Sequence, residues 1–290
     1  MTHATAAPPA AAPRETGRIA AEWRAGTMVW RREMIHFLRS RAGIAVSLLQ
    51  PLLFLYVLGI GLSRMFSGAG SSDDYMIFLF PGVLVMAAQA PAISVGASIV
   101  WDRQSGFLRE MLVAPVHRST LLIGKCLGGA TVAACQGAVV LASAGLVGVP
   151  YRIDLFAALL AELLLASLAM TVMGAVIAVR IQRIQTFHTA LTVLTAPMVF
   201  LSGLMFPVSA MPAWMASLTL VNPLTYAVDA MRQTITAFHP APAAGASGAP
   251  FFDPVSWGGW DVPPGLSVAL VAAFSAAALA VAARRFARTD

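Results

Sequence analysis

One stretch sets side chains that could do chemistry between long apolar runs. Residues 101–125, WDRQSGFLREMLVAPVHRSTLLIGK, carry Asp102, Arg103, Arg109, Glu110, His117, Arg118 and Lys125, in a chain with only 11% charged residues. Long apolar runs flank it on both sides. The stretch is too short to be a domain. A charged helix between two apolar runs has the shape of a docking element, one that takes up force from something bound to its face. It has no nucleotide chemistry of its own, because no G-x-x-x-x-G-K-[ST] loop occurs anywhere in the chain. H-E-x-x-H and G-x-S-x-G are also absent. His3, His36, His117, His188 and His239 are scattered without metal-ligand spacing.

Within the apolar runs, Glu162 is the one carboxylate set well inside. An intramembrane acid is a functional-site hypothesis by default. At a depth of about 10 Å it also reaches interfacial water or a neighbouring helix. Proton-coupled transport uses several such groups, and a paired-Asp protease needs two; the runs hold no Asp at all. Gln50, Gln89 and Gln136 are amides at membrane depth, able to join helices or line a path. Cys126 and Cys135 lie about 13 Å apart on one helix, too far to pair.

The elements that must position these groups follow from hydropathy. The chain has 290 residues, 58% hydrophobic, with mean hydropathy +0.77. That is the composition of a polytopic membrane protein. Six runs of spanning length are expected, at about 44–63, 76–100, 120–148, 155–179, 187–206 and 265–283. With the N-terminus inside, sixteen of the nineteen Lys and Arg residues fall in inner segments, and only Arg64, Arg152 and Arg232 fall outside. The positive-inside rule therefore puts both ends in the cytoplasm. The basic residues flank apolar runs and form no continuous patch, which excludes nucleic acid as a partner.

Residues 1–15 are Ala/Pro-rich and are expected as a disordered cytoplasmic tail. They lack the apolar core of a signal peptide. Over 16–41, Ile19, Trp23, Trp30, Met34 and Phe37 recur at helical spacing, as in an amphipathic helix lying on the membrane. That helix serves as a lipid anchor, a contact for a cytoplasmic partner, or both. Between spans five and six, 207–264 begins with pieces too short to span, 213–220 and 224–238, broken by Pro207, Pro212 and Asn222-Pro223. They are expected as a re-entrant or interfacial hairpin, with Asp229 and Arg232 at pairing distance. The rest is a Pro/Gly/Ala loop with Trp257 and Trp260 at the outer interface. A tail at 285–290 closes the chain. The fold class is thus an all-α polytopic membrane protein with six transmembrane helices, an N-terminal amphipathic helix, outer re-entrant helices and one permease-sized domain over 44–284.

Three stretches carry a family resemblance: FLFPGVLVMAAQ followed by SIVWDRQSGFLREMLVAPVHRSTLLIGK, LSGLMFPVSAMPAWM at 201–215, and NPLTYAVDAMR at 222–232. In this order around six spans they resemble the membrane subunit of ABC-2-type (type V) ABC exporters, above all the daunorubicin-resistance-type and nodulation-factor-type permeases. The resemblance covers nearly everything after residue 25, but not the tail or 239–264. It implies a separate ABC ATP-binding subunit in two copies, carrying the ATP and magnesium, and no cofactor on this chain. It also implies a second permease copy, identical or paralogous, in a bacterial cytoplasmic membrane. Residues 102–115 match the coupling helix, with Asp102, Arg103, Gly106, Phe107, Leu108, Arg109, Glu110 and Pro115. Arg180 and Arg183 give a second cytoplasmic contact. Phe206, Pro207, Pro212, Asn222 and Pro223 belong to the outer re-entrant gate, and Gln50, Tyr56, Gln89 and Glu162 are candidates for the substrate path. The implied activity is export of a hydrophobic or amphipathic drug or lipid. A polysaccharide or lipid-linked glycan is the alternative within the class; an ion-coupled transporter and a non-transporting sensor are those outside it.

Overall fold

The structure, a computed structural model, describes residues 15–65, 72–105, 117–238 and 253–288. The expected tail up to residue 14, most of the 102–115 segment and the first part of the 239–264 loop lie outside the described residues.

Helices dominate because an apolar chain in lipid must satisfy its backbone groups within each segment. α1 spans Glu15–Arg39. α2, Arg41–Leu53, passes through a π-helical segment, Phe54–Leu58, into α3, Gly59–Met65. The widened turn follows Pro51, whose missing N–H interrupts the regular ladder. α4 is Ser72–Gln104, α5 Arg118–Leu141, α6 Ile153–Arg180 and α7 Ile184–Phe200. α8, Ala213–Val221, and α9, Pro223–Phe238, are two short helices joined at Asn222, and α10 is Pro264–Arg288.

Among the described residues, five helices are long and apolar enough to cross a membrane: Arg41–Ser63, Tyr75–Gln104, Arg118–Leu141, Ile153–Arg180 and Pro264–Phe286. The expected fifth span is shorter than 187–206 suggested. Its helix has 17 residues and stops at Phe200, after which the chain turns through Gly203 at φ 75°. Two further boundaries differ. The third run ends as a regular helix at Leu141, followed by a 3-10 turn at Ala144–Val147. The last helix runs on to Arg288, into the stretch expected as a tail.

α4 is the centre of the bundle, packed on α5, α6, α7 and α9. Phe78, Phe80 and Leu84 of α4 are fully buried, as are Leu155, Leu159 and Leu163 of α6. A second cluster towards the other end joins Val95, Ile99, Leu122, Val172, Phe187 and Phe286. By contrast, only 22% of the apolar window of the first span is buried, against 72% for α4. The first span therefore presents most of its surface outward, to lipid or to another chain.

α1 lies parallel along the first half of α5. Glycine makes this possible: a Cβ on Gly124 would sit 2.8 Å from the Gly26 carbonyl oxygen, and one on Gly128 would sit 3.0 Å from the Glu33 Cβ. Gly124 and Gly128 form a small-xxx-small pair, the spacing that lets helix backbones approach closely in membranes. The wheel of α1 alone gave no sign of this, because its packing face holds Glu22, Gly26, Val29 and Glu33 and not the large apolar residues.

Gly124→Leu should therefore force α1 off α5 and cost about 1–3 kcal/mol, the usual penalty of overpacking. Gly61→Leu meets nothing within 4 Å and should leave the thermal unfolding midpoint unchanged or higher. Equal midpoints for the two variants would contradict the packing.

Candidate functional site

The charged stretch is tied down at both of its described ends. At the end of α4, Asp102 is only 5% exposed and Lys125 of α5 only 6%. Lys125 Nζ donates to an Asp102 carboxylate oxygen and to Ser98 Oγ at 3.1 Å. Arg32 Nη2 of α1 lies 3.8 Å from the other Asp102 oxygen. Next to it, Arg103 Nη1 donates to the Val179 carbonyl at 3.3 Å, beside the exposed Arg180 and Arg183 that open the loop into α7. At the far end of the stretch the His117 backbone N–H donates to Glu22 Oε1 at 2.9 Å. The His117 ring nitrogen Nδ1 lies 3.1 Å from the same oxygen, and the Thr120 hydroxyl donates to Glu22 Oε2. The described ends, Asp102–Arg103 and His117, are thus tied twice to α1 and once each to α5 and α6.

Asp102 consequently faces the bundle. Gly106, Phe107, Leu108, Arg109, Glu110 and Pro115 lie outside the described residues. The hint to the clamp was Lys125, a cation five residues beyond Thr120, the last polar residue of its run, which a tally of inner charges counts but does not explain.

At the opposite end the α8–α9 hairpin is stitched to the bundle. Pro212 precedes α8 in extended conformation. Asn222 makes the turn: its Nδ2 donates to the Met198 carbonyl at 2.6 Å, and its Oδ1 accepts from the Leu224 N–H at 3.1 Å. Pro223 opens α9, where a missing N–H costs nothing. Phe206 is exposed, whereas Pro207 is buried.

α9 is buried along most of its length, and its two charges do not pair as their i,i+3 spacing suggested. Arg232 donates to the Gly203 carbonyl at 2.8 Å and sits 3.9 Å over the Phe78 ring, a cation–π contact. Asp229 accepts from the Val255 N–H, Gln233 Nε2 and Ser267 Oγ at 3.1, 2.7 and 3.1 Å. Separate partners of better geometry outcompete the local pair. Burial raises the Asp229 carboxyl above its ordinary range, against the pull of those hydrogen bonds and of Arg232. Burial lowers Arg232 to about 10, so it stays protonated at neutral pH.

The loop before α10 holds a hairpin that its Pro/Gly/Ala composition concealed. Ser256 pairs with Asp261 and Trp257 with Trp260, across Gly258 and Gly259 at φ 59° and 92°. The Gly-Gly between two tryptophans was the available signal, since both turn positions need positive φ. Trp257 Nε1 donates to the Tyr226 hydroxyl at 3.1 Å, so this tryptophan is tied to α9.

Gln50 lines a lateral groove with Leu49, Leu53 and Val57, and Tyr56, Gln89 and Glu162 do not line it. Tyr56 lies in the π-helical segment, its hydroxyl 3.5 Å from the Ser143 carbonyl. Gln89 is half-buried on α4. Glu162 Oε1 accepts from Thr234 Oγ1 of α9 at 2.7 Å, and its buried Oε2 has no hydrogen-bond partner. Among the described residues, no group of three His, Cys, Asp or Glu side chains could hold a metal ion.

A family model described as ABC-2 type transporter matches residues 25–236, from the α1–α5 contact through nearly all of α9. The chain belongs to the ABC-2 type transporter family. It is similar to the putative transport permease ycf38 of Cyanophora paradoxa, 26% identical over 70% of this chain and 71% of that one. Nodulation protein J of Rhizobium leguminosarum bv. trifolii is 28% identical over 70% of this chain and 78% of its own length. A probable multidrug ABC transporter permease, YbhR of Escherichia coli K12, is 30% identical over 55% of this chain and 44% of its own. This ABC-2 chain is a transport permease, and its family works with an ATP-binding subunit.

Lys125→Met should destabilise the permease by about 3–5 kcal/mol, the cost of leaving one partner of a buried pair alone. The double variant Lys125→Met/Asp102→Leu should recover most of that loss, and a double variant no more stable than the single would count against the clamp. A second expectation concerns pH. A carboxyl whose pKa is higher folded than unfolded keeps its proton in the folded state while the unfolded chain loses it. Asp229 therefore subtracts stability as pH rises from about 4 towards its raised value. Asp229→Asn should flatten the fall in unfolding midpoint over that window, and parallel curves for the two proteins would refute the assignment.

Proposed function

We propose that this permease is the membrane subunit of an ABC exporter that moves a hydrophobic or amphipathic substrate across the bacterial cytoplasmic membrane. The substrate class is a drug, a lipid or a lipid-linked glycan. A separate ATP-binding subunit in two copies, carrying ATP and magnesium, supplies the energy, and a second permease copy completes the path. α7 is the fifth of six spans, at the short end of the spanning range of about 17–25 residues. Both termini are cytoplasmic, and the α8–α9 hairpin re-enters the outer leaflet.

The observation that carries this reading is the double anchoring of the 102–115 segment. Asp102 is fixed to Lys125 and Arg32, and His117 to Glu22. A push on the segment is therefore delivered to α1, α4 and α5 together. Closure of the nucleotide-binding dimer moves this group, the interface between the two permeases opens outward, and the α8–α9 hairpin governs release. The permease contributes no covalent step. It changes between two packed arrangements. Within the segment, Phe107, Leu108, Arg109 and Glu110 make the contact with the ATPase, Gly106 and Pro115 shape its ends, and Arg103 with Arg180 and Arg183 forms the neighbouring contact. Glu162, with one buried oxygen still open to a donor, lies on the path beneath the hairpin.

Arg109→Glu or Glu110→Arg should lower substrate-stimulated ATPase activity and export about tenfold or more, since a charge misplaced at a docking surface costs several kcal/mol. The amount of permease in the membrane should stay normal. Export at wild-type rate with the partner ATPase would reject the coupling assignment. Flux that persists without any ATPase and depends on Glu162 would point to an ion-coupled carrier.

A further inference from the structure

A cavity of about 240 Å³ lies where α1 gives way to the first span, with α4 and α5 as its other walls. One water takes up about 30 Å³ of liquid, so the space suits a group of several heavy atoms better than a bare ion. Its polar lining is Glu33, His36, Ser40, Ser47, Ser94 and Gln136. His36, Ser40 and Ser94 are exposed and mark the open side, whereas Gln136 is only 1% exposed. The stem of Glu33 lies over Gly128, where a Cβ would come 3.1 Å from its Cγ.

The unused hydrogen-bonding capacity inside this lining is that of acceptors. Gln136 Nε2 donates to Ser47 Oγ at 2.7 Å, and the amide oxygen of Gln136 has no partner among the described residues. Ser47 and Ser94 give their hydroxyl protons to the carbonyls of Ile44 and Pro91, at 3.0 and 2.7 Å. Their oxygens can then only accept. Among the described residues Glu33 makes neither a hydrogen bond nor an ion pair. Its neighbour on α1, Arg32, is drawn to Asp102, and Arg39 and Arg41 do not line the cavity. The remaining donors, the Ser40 hydroxyl and the His36 ring, stand at the rim. Acceptors grouped around one carboxylate call for a cation that brings several N–H donors. An alkylammonium has three and no acceptor of its own.

The first span carries the same face onward as an apolar track. Gly43 and Ser47 line the cavity, and Gln50 and Phe54 line the lateral groove further along. Their i, i+4, i+7, i+11 spacing puts all four on one side of the helix. A tail attached to a group in the cavity can follow that side past Leu53 and Val57.

We propose that this cavity binds the primary ammonium group of an amphiphile, with Glu33 as its counter-ion and the Gln136 amide oxygen and Ser94 hydroxyl oxygen as further acceptors. An aminophospholipid headgroup and a free cationic amphiphile both supply that chemistry. A quaternary ammonium carries the same charge without N–H donors, and it leaves the Gln136 oxygen buried and unpaired. That such an amphiphile is also cargo rests on the export reading above; its binding does not.

The test uses the full-length permease in detergent, followed by native mass spectrometry. Phosphatidylethanolamine is compared with phosphatidylcholine of the same acyl chains, and dodecylamine with dodecyltrimethylammonium. A primary amine should be retained about tenfold better than its quaternary counterpart, the size expected of one hydrogen bond to a charged group. Glu33→Gln should weaken the amine by a similar factor, and Ser94→Leu, which fills the open side, should weaken it as well. Preference for phosphatidylethanolamine alone identifies a lipid headgroup as the occupant. Preference that extends to dodecylamine identifies amphiphilic amines in general. Equal retention within both pairs overturns the proposal, and so does amine binding that survives both variants. No ATPase enters the measurement, so these outcomes are distinct from failure of the export reading.

Discussion

The buried ion pair between Asp102 and Lys125 is the constraint on which the lower half of this permease turns. Taking two charges out of water costs several kcal/mol per ion, and mutual attraction repays it only when geometry and further hydrogen bonds are right. Here Ser98 supplies the extra acceptor for the ammonium, and Arg32 brings a second cation to the carboxylate. Such a pair is better at specifying an arrangement than at adding stability. It fixes where α4 may end relative to α5, and through Arg32 it adds a contact to α1, whose close approach rests on Gly124 and Gly128. The exposed pair Arg152–Asp154 is a useful contrast: solvent screens it, nothing is buried to form it, and it fixes little beyond the start of α6.

The opposite end solves the same problem without an ion pair. Asp229 and Arg232 are both buried, yet each turns to uncharged partners rather than to the other. Arg232 reaches the carbonyl of Gly203 and the ring of Phe78; Asp229 gathers an N–H, an amide and a hydroxyl from α9, α10 and the strand segment between them. Three otherwise separate pieces are joined through one carboxylate, while α8 carries Trp214, Leu218 and Val221 outward. A hairpin fixed at its second helix and apolar at its first is anchored at one edge and free to meet lipid or a second copy at the other.

The elements were legible from sequence because spanning length and hydropathy are strong local signals. The breaks at Pro207, Pro212 and Asn222 were visible as well, since proline and Asn-Pro act through the backbone alone. What could not be read was partner choice across distance. Nothing local says that Lys125 meets Asp102, or that Arg232 leaves Asp229 for a carbonyl 29 residues away in sequence. The packing of α1 was hidden for a related reason. A wheel weighs large apolar residues, but the face that docks on α5 is the one with glycine, where absence of a side chain is the contact. α7 was overestimated because the apolar residues after Phe200 continue the hydropathy while Gly203 ends the helix.

These contacts divide the bundle into parts of unequal stiffness. α1, α4 and α5 are bound by glycine contact, ion pair and close side-chain packing, and α6 packs on both α4 and α5. The first span is held differently. Its ties to α5 and the turn after it are hydrogen bonds, Gln136 to Ser47 at 2.7 Å and Tyr56 to the Ser143 carbonyl at 3.5 Å. Between them lies the π-helical segment, where one extra residue per turn loosens the backbone ladder. The first span also packs on α4 through Leu48 and Leu55, but over less of its surface than α4 or α5, and its two hydrogen bonds can be exchanged for others of similar strength. If a push enters through the 102–115 segment, the group that moves as one body is therefore α1 with α4 and α5. The first span follows through its packing on α4 and its two polar ties, and the turn around Phe54–Leu58 is where the chain can absorb the difference.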